Sequence, residues 1–164
     1  MTADPALRLE PLDPGHPDAQ ALMAQSEALM SALYPAESNH FEPADGLREP
    51  GGSFFGIWRG EQLLACGGVK HVAVGDEPAY GEIKRLFVLD SERGQGLARQ
   101  LMARLEVELL ARGVPLARLE TGIHQPEALA LYRRLGYIER EPFGGYALDP
   151  LSVFFEKRLA LIAH

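Results

Sequence analysis

The chain has 164 residues, the size of one ordinary domain, and a domain of that length buries about 68–70% of the surface its unfolded form exposes. Hydrophobic residues at 46% and charged residues at 24% exclude a disordered chain, and a single cysteine excludes an internal disulfide. The 16 basic and 23 acidic residues leave a net charge of −7, which argues against a nucleic-acid partner held by its phosphates.

In chain order, Ala6 to Leu12 alternates apolar and polar residues and predicts a strand, broken at Asp13-Pro14-Gly15. From Pro17 to Leu33, residues Ala19, Leu22, Met23, Leu29, Met30 and Leu33 recur at helical spacing, with Pro17 in the first turn. Tyr34 to Gly52 is irregular, with three prolines and one short helix allowed. Ser53 to Arg59 and Gln62 to His71 predict a hairpin turning at Gly60-Glu61, and Tyr80 to Val88 a further strand. Gly94 to Arg112 predicts a long helix striped by Leu97, Leu101, Leu105 and Leu109 and stopped by Gly113 and Pro115. Leu116 to Thr121 is a short strand, Gln125 to Leu135 a helix, and Tyr137 to Arg140 and Val153 to Leu159 the last strands. The sum is one mixed α/β domain without repeats or linkers.

The segment Leu86 to Arg99, LFVLDSERGQGLAR, carries most of the chemistry. An apolar strand ends, a turn follows, and Gly94 and Gly96 open a helix. Glycine takes positive φ and lets a backbone approach a ligand closely. Free N–H groups and the positive dipole of a helix start favour an anion, and Arg93 adds charge beside them. This describes a phosphate cradle; a tight turn with a solvated Arg93 is the plain alternative. The P-loop pattern fails because Leu97-Ala98 follows Gly96 where Lys and Ser/Thr are needed. A dinucleotide fingerprint puts Arg99 at its final small position, although Glu120 stands where a ribose-binding acid would sit.

Arg-x-x-Gly-x-Ala at Arg93, Gly96 and Ala98 resembles the pyrophosphate motif of the GNAT (Gcn5-related) N-acetyltransferases. Glu82-Ile83-Lys84-Arg85-Leu86-Phe87-Val88 looks like that family's fourth strand, and Leu119 to Tyr137, ending Leu131-Tyr132-Arg133-Arg134-Leu135-Gly136-Tyr137, like its fifth strand, following helix and sixth strand. The resemblance implies a single domain over 1–164: a central mixed sheet of about six to seven strands, the fourth and fifth splayed, flanked by about four helices. It implies acetyl-CoA as cosubstrate, no metal, and acetyl transfer to a primary amine of a small molecule or amino acid by direct attack in a ternary complex. Backbone groups from Leu86 through Phe87 to Val88 would hold the pantetheine, and those of Gly94, Gln95, Gly96, Leu97, Ala98 and Arg99 the pyrophosphate, beside Arg93. Gln125 stands where the family commonly has an asparagine touching the pantetheine arm; glutamine reaches farther and caps helices poorly.

The same resemblance makes Glu82 the candidate base and Tyr132 the candidate proton donor to the departing thiolate. An ammonium has no lone pair, so an amine acceptor needs a base near neutral pH. Lys84, two residues on and on the same strand face, makes an ionised Glu82 easier to hold and a weaker base, so an ion pair of Glu82 with Lys84 or Arg85 is the structural alternative. Lys84 or Arg85 holding a carboxylate on the acceptor is a third reading, and Tyr132 read without the family is a core aromatic. The acceptor walls are expected at Tyr34 to Phe41, with Tyr34 and His40, and at Phe143 to Tyr146, with Tyr146.

A catalytically silent CoA-binding or regulatory module and a dinucleotide-binding domain are the competing classes. Five histidines, His164 included, show no metal-ligand spacing, no Gly-x-Ser-x-Gly is present, and Cys66 between Ala65 and Gly67 reads as a small buried residue. Met1 to Glu10 carries acids and prolines where a signal peptide needs an apolar core, and no apolar run reaches the roughly 18 residues of a span. The expectation is a cytoplasmic protein with a small-molecule acceptor, no membrane partner, and homodimer formation left open.

Overall fold

The computed structural model describes residues 6–160; His164 and the start of the Met1–Glu10 stretch lie outside the described residues. Seven strands form one sheet: β1 (Leu7–Pro11), β2 (Gly52–Arg59), β3 (Gln62–Val72), β4 (Tyr80–Val88), β5 (Leu116–Gly122), β6 (Ile138–Arg140) and β7 (Ser152–Arg158), in the order β1-β2-β3-β4-β5-β7-β6. Every pairing is antiparallel except β4 with β5. Three α-helices accompany it: α1 (Pro17–Leu33), α2 (Leu97–Ala111) and α3 (Pro126–Arg134). The irregular stretch before β2 contains two single 3-10 turns, Ala36–Ser38 and Ala44–Leu47, rather than one short helix.

Each face of the sheet has its own core. On one, Leu97, Leu101, Leu105 and Leu109 of α2 are fully buried against Phe55, Ile57, Val69, Ile83, Leu119 and Phe155. On the other, Ala19, Leu22 and Met23 of α1 pack on Phe54, Trp58, Leu63, Cys66 and Phe87. The apolar stripe of α1 divides along its length: its first half is core, while Leu29, Met30 and Leu33 line a cleft. Cys66 belongs to the α1-side core, where burial pushes its thiol up to about 12, far from a reactive thiolate.

The long helix begins at Leu97, three residues after the start expected from the sequence. Gly94 and Gly96 both take positive φ, 80° and 79°, which no helical residue adopts. A second irregularity lies in β4. Cys66 pairs with Phe87 but Gly68 with Lys84, so two residues of β4, Arg85 and Leu86, oppose the single Gly67. Arg85 sits at φ 59°, a left-handed conformation that costs a non-glycine residue on the order of 1 kcal/mol or more. Such a bulge increases local twist and re-aims side chains. Beyond it β4 and β5 have already separated: only Gly81–Ala117 and Glu82–Arg118 pair.

The α2 stripe gives a direct check of this packing. Leu105→Ala, at a fully buried position, is expected to destabilise the protein by about 2–5 kcal/mol, while Val107→Ala, on the solvent side of the same helix, changes stability by under roughly 0.5 kcal/mol in denaturant melts.

Candidate active site

Where β4 and β5 part, a cleft of about 1050 Å³ opens between them. One end is the turn before α2. Gly96, the N-cap, has no side-chain partner for the helix, and the first helical bond runs from Gln100 N to Gly96 O, leaving the amides of Leu97, Ala98 and Arg99 without acceptors in the helix. No acidic residue stands in that first turn. A Cβ added at Gly94 would meet nothing within 4 Å, and one at Gly96 only the Arg99 guanidinium, so these glycines serve backbone conformation and not packing. The acid nearest the turn, Glu92, is held by both amines of Arg59 at 2.9 and 3.2 Å and by Gln95 at 3.0 Å, which keeps its carboxyl below the usual range. Arg93 lines the same end, its guanidinium over the Phe87 ring. The result is a concave, cation-flanked set of free amides, suited to a phosphate.

The middle of the cleft is the edge of β4 from Ile83 to Val88 that β5 leaves unpaired, facing Gln125 and the start of α3. Gln125 does not cap α3 with its side chain; its Oε1 accepts from Gly122 N and from the Tyr34 hydroxyl, both at 3.4 Å. Of the residues predicted to hold the cosubstrate, all line the cleft except Gln95, whose side chain turns back to Glu92.

The far end holds the titratable groups. Glu120 of β5 lines it, partly buried; burial raises its carboxyl above the usual glutamate range, with only Ser152 among the described residues donating to it, at 2.7 Å. No basic side chain among the described residues lies within ion-pair distance of it. Tyr132 of α3 lines the same end, its phenol pushed up by burial first and by the nearby Glu120 charge second. Register explains the meeting: Glu82 lies opposite Arg118, so Lys84 and Glu120 stand level across the gap, and their charges interact.

Glu82 is 7% exposed and stands behind Lys84, outside the cleft wall. It pairs with Lys84 Nζ at 3.3 Å and accepts from the Tyr146 hydroxyl, so the ion pair foreseen as the structural alternative is present. Lys84 Nζ also donates to Tyr146 Oη at 2.7 Å and to His40 O at 3.2 Å, so its ion pair and both of its hydrogen bonds are made within this cluster. Tyr146 therefore braces the site from behind, its ring against Phe143 and Phe154, rather than lining it.

Tyr34, His40 and Arg85 do line the cleft. Tyr34, just past the end of α1, crosses to the β5–α3 turn, where its ring stacks on His124 at 5.3 Å and its oxygen accepts from His124 N at 3.0 Å. A side chain at Gly122 would collide with that hydroxyl. Ser38 bonds Asp149 at 2.7 Å, and His40 meets the Tyr146 ring edge-on at 5.1 Å. These three contacts tie the 34–41 segment to the opposite wall and roof this end.

Sequence reasoning singled out Glu120 only as a ribose ligand. Its one visible signal was an acid in a short strand, between Leu119 and Thr121.

Residues 20–137 match the acetyltransferase (GNAT) family, and the chain belongs to it. The IAA acetyltransferase of Azospirillum brasilense is 41% identical over 138 residues, covering 84% of this chain and 88% of that protein. The uncharacterized N-acetyltransferase YsnE of Bacillus subtilis is 35% identical over 133 residues, covering 79% and 85%. Among solved structures, an acyl-CoA N-acyltransferase assigned in Klebsiella pneumoniae superposes with a TM-score of 0.76 at 33% identity, over 94% of this chain and 98% of that one. Arabidopsis thaliana NAA60 in complex with acetyl-CoA shares the fold, with a TM-score of 0.66 at 16% identity over 93% and 98% of the two chains. As a member of this family, the chain is an acetyl-CoA-dependent acetyltransferase. No described helix is long and apolar enough to cross a membrane, and among the described residues no group of three or more His, Cys, Asp or Glu stands close enough to hold a metal ion.

Proposed function

We propose that this chain transfers the acetyl group of acetyl-CoA to the primary amine of a small molecule or amino acid, by direct attack in a ternary complex. One observation carries this reading: a single cleft runs from the free amides before α2, along the unpaired edge of β4, to Glu120 and Tyr132. The amides of Leu97, Ala98 and Arg99, with Gly94, Gln95 and Gly96 shaping the turn and Arg93 beside it, hold the pyrophosphate. The backbone from Leu86 to Val88 pairs with the pantetheine as an added strand would, opposite Gln125. The roof at Tyr34, Ser38 and His40 supports a compact acceptor over an open polypeptide groove.

Glu120 is the carboxylate with capacity left, and it takes the proton the acceptor nitrogen loses as the new C–N bond forms. As the C–S bond breaks, the electron pair goes to sulfur, and the Tyr132 hydroxyl donates to it. Protonating Glu120 removes the negative charge that helps to raise Tyr132, so the phenol becomes a better acid at the moment the thiolate leaves. Glu82 acts in this scheme by fixing Lys84 and Tyr146.

The base must be ionised, so kcat/KM should fall as pH drops through a value above that of an exposed glutamate. Glu120→Gln is expected to cost roughly 10²-fold or more and to flatten that limb, with acetyl-CoA still bound. Because burial disfavours the charged form, the same variant should melt higher at neutral pH. Loss of the limb in Glu82→Gln instead would make Glu82 the base. Tyr132→Phe should lower kcat with little change in acetyl-CoA affinity. Normal turnover in that variant contradicts its role, and acetyl-CoA binding without transfer to any amine in a library indicates a silent CoA-binding module.

A second check concerns the cradle. Gly96→Ala adds only the strain of a left-handed alanine, roughly 1–2 kcal/mol, whereas Gly96→Glu sets a carboxylate against the phosphates. Titration calorimetry should show acetyl-CoA binding lost in the second and retained in the first; retention in both excludes the cradle.

A further inference from the structure

Among the described residues, Arg85 is the cation lining the acceptor end that keeps a buried donor without a partner. Its side chain is 9% exposed, its Nε donates to Glu42 O at 3.1 Å and its Nη2 to Glu27 at 2.6 Å, but Nη1 is buried with no partner. A buried guanidinium nitrogen without an acceptor is expensive, and native structures retain such groups where something else supplies the acceptor. The β4 bulge brings it here. Arg85 adopts φ 59° and lies on the α1 side beside Lys84, so consecutive residues both reach the 40–42 segment. Lys84, by contrast, is paired with Glu82 and donates to Tyr146 and His40.

Resting on the transferase reading above, we infer that the acceptor carries a carboxylate as well as its amine, and that the Nη1 edge of Arg85 binds that carboxylate. The two ends of such a molecule match the two groups in this end of the cleft with unused capacity. Glu120, on β5, has no cation partner and faces the amine; Arg85, on β4, has donors to give and faces the acid. The strands diverge between them, which leaves room for a small molecule to span the gap. Phe41 covers the guanidinium, its ring 5.2 Å away, on the segment Asn39–Pro43 that belongs to no helix or strand, and it is itself 38% exposed. Phe41 and Arg85 both line the cleft. Glu27, half-exposed on α1, holds the guanidinium from the outside and competes for its charge.

The test is a thiol-release assay with matched pairs: phenylalanine against phenethylamine, tryptophan against tryptamine, β-alanine against ethylamine. The wild-type protein is expected to prefer the acid member of at least one pair. In Arg85→Gln the ratio of kcat/KM for that acid to kcat/KM for its amine should fall roughly 10- to 100-fold, through KM, as for a lost charge-assisted hydrogen bond. Arg85→Lys should recover part of it. Glu27→Gln, which leaves the cation and removes its competitor, should move the ratio the other way. Acetyl-CoA-induced melting shifts in each variant establish that it is folded. Transfer to the plain amines with no preference for any acid, or a ratio unmoved in Arg85→Gln, overturns the carboxylate anchor alone. Acetyl-CoA binding with no transfer to any member overturns the anchor together with the transferase reading.

Discussion

Two rungs of parallel pairing between β4 and β5 are the constraint from which the site follows. Strands joined only at Gly81–Ala117 and Glu82–Arg118 leave the rest of β4 with unpaired backbone on one edge, a cost a folded protein tolerates where something else fills it. The bulge opposite Gly67 lies past the last rung, where its extra residue adds twist to the edge of β4 that β5 has already left. Gly67 makes space for it by having no side chain: a Cβ there would lie only 3.0 Å from the Leu86 side chain. The cores on both faces hold the strands in this open arrangement, so the cleft is preformed.

Charge is distributed along that cleft with a purpose that pairing makes visible. At the cradle, Glu92 is neutralised by Arg59 and so does not repel an anion. At the far end, Lys84, Glu82 and Tyr146 form a closed set, each satisfied by the others. Among the described residues lining the cleft, those left incomplete are Glu120, poorly solvated with one hydroxyl donor, and Arg85 at its Nη1. Buried polar groups left incomplete in an otherwise satisfied network mark where a substrate belongs.

The parts of this picture that local physics controls were legible from local signals. The leucine stripe of α2, the glycine turn before it and the α3 signature read directly because spacing and φ demands act within a few residues. The start of α2 was misplaced because two glycines compatible with a helix start in fact take positive φ. The remainder depended on tertiary partners. Glu120 is exceptional only because β7 brings Ser152 to it and little else; Tyr146 reaches Glu82 across 64 residues of sequence and Tyr34 reaches Gln125 across 91. The bulge at Arg85 has no mark in the sequence beyond a charged residue where a central strand should be apolar.

The most direct measurement of the central idea is backbone amide chemical-shift mapping by NMR as acetyl-CoA is added. If the gap between β4 and β5 receives the cosubstrate, the largest changes fall on Phe87 and Val88 and on the amides from Gly94 to Arg99, with Gln125 following. Shifts confined to other surfaces, with these amides unmoved at saturation, would contradict the account.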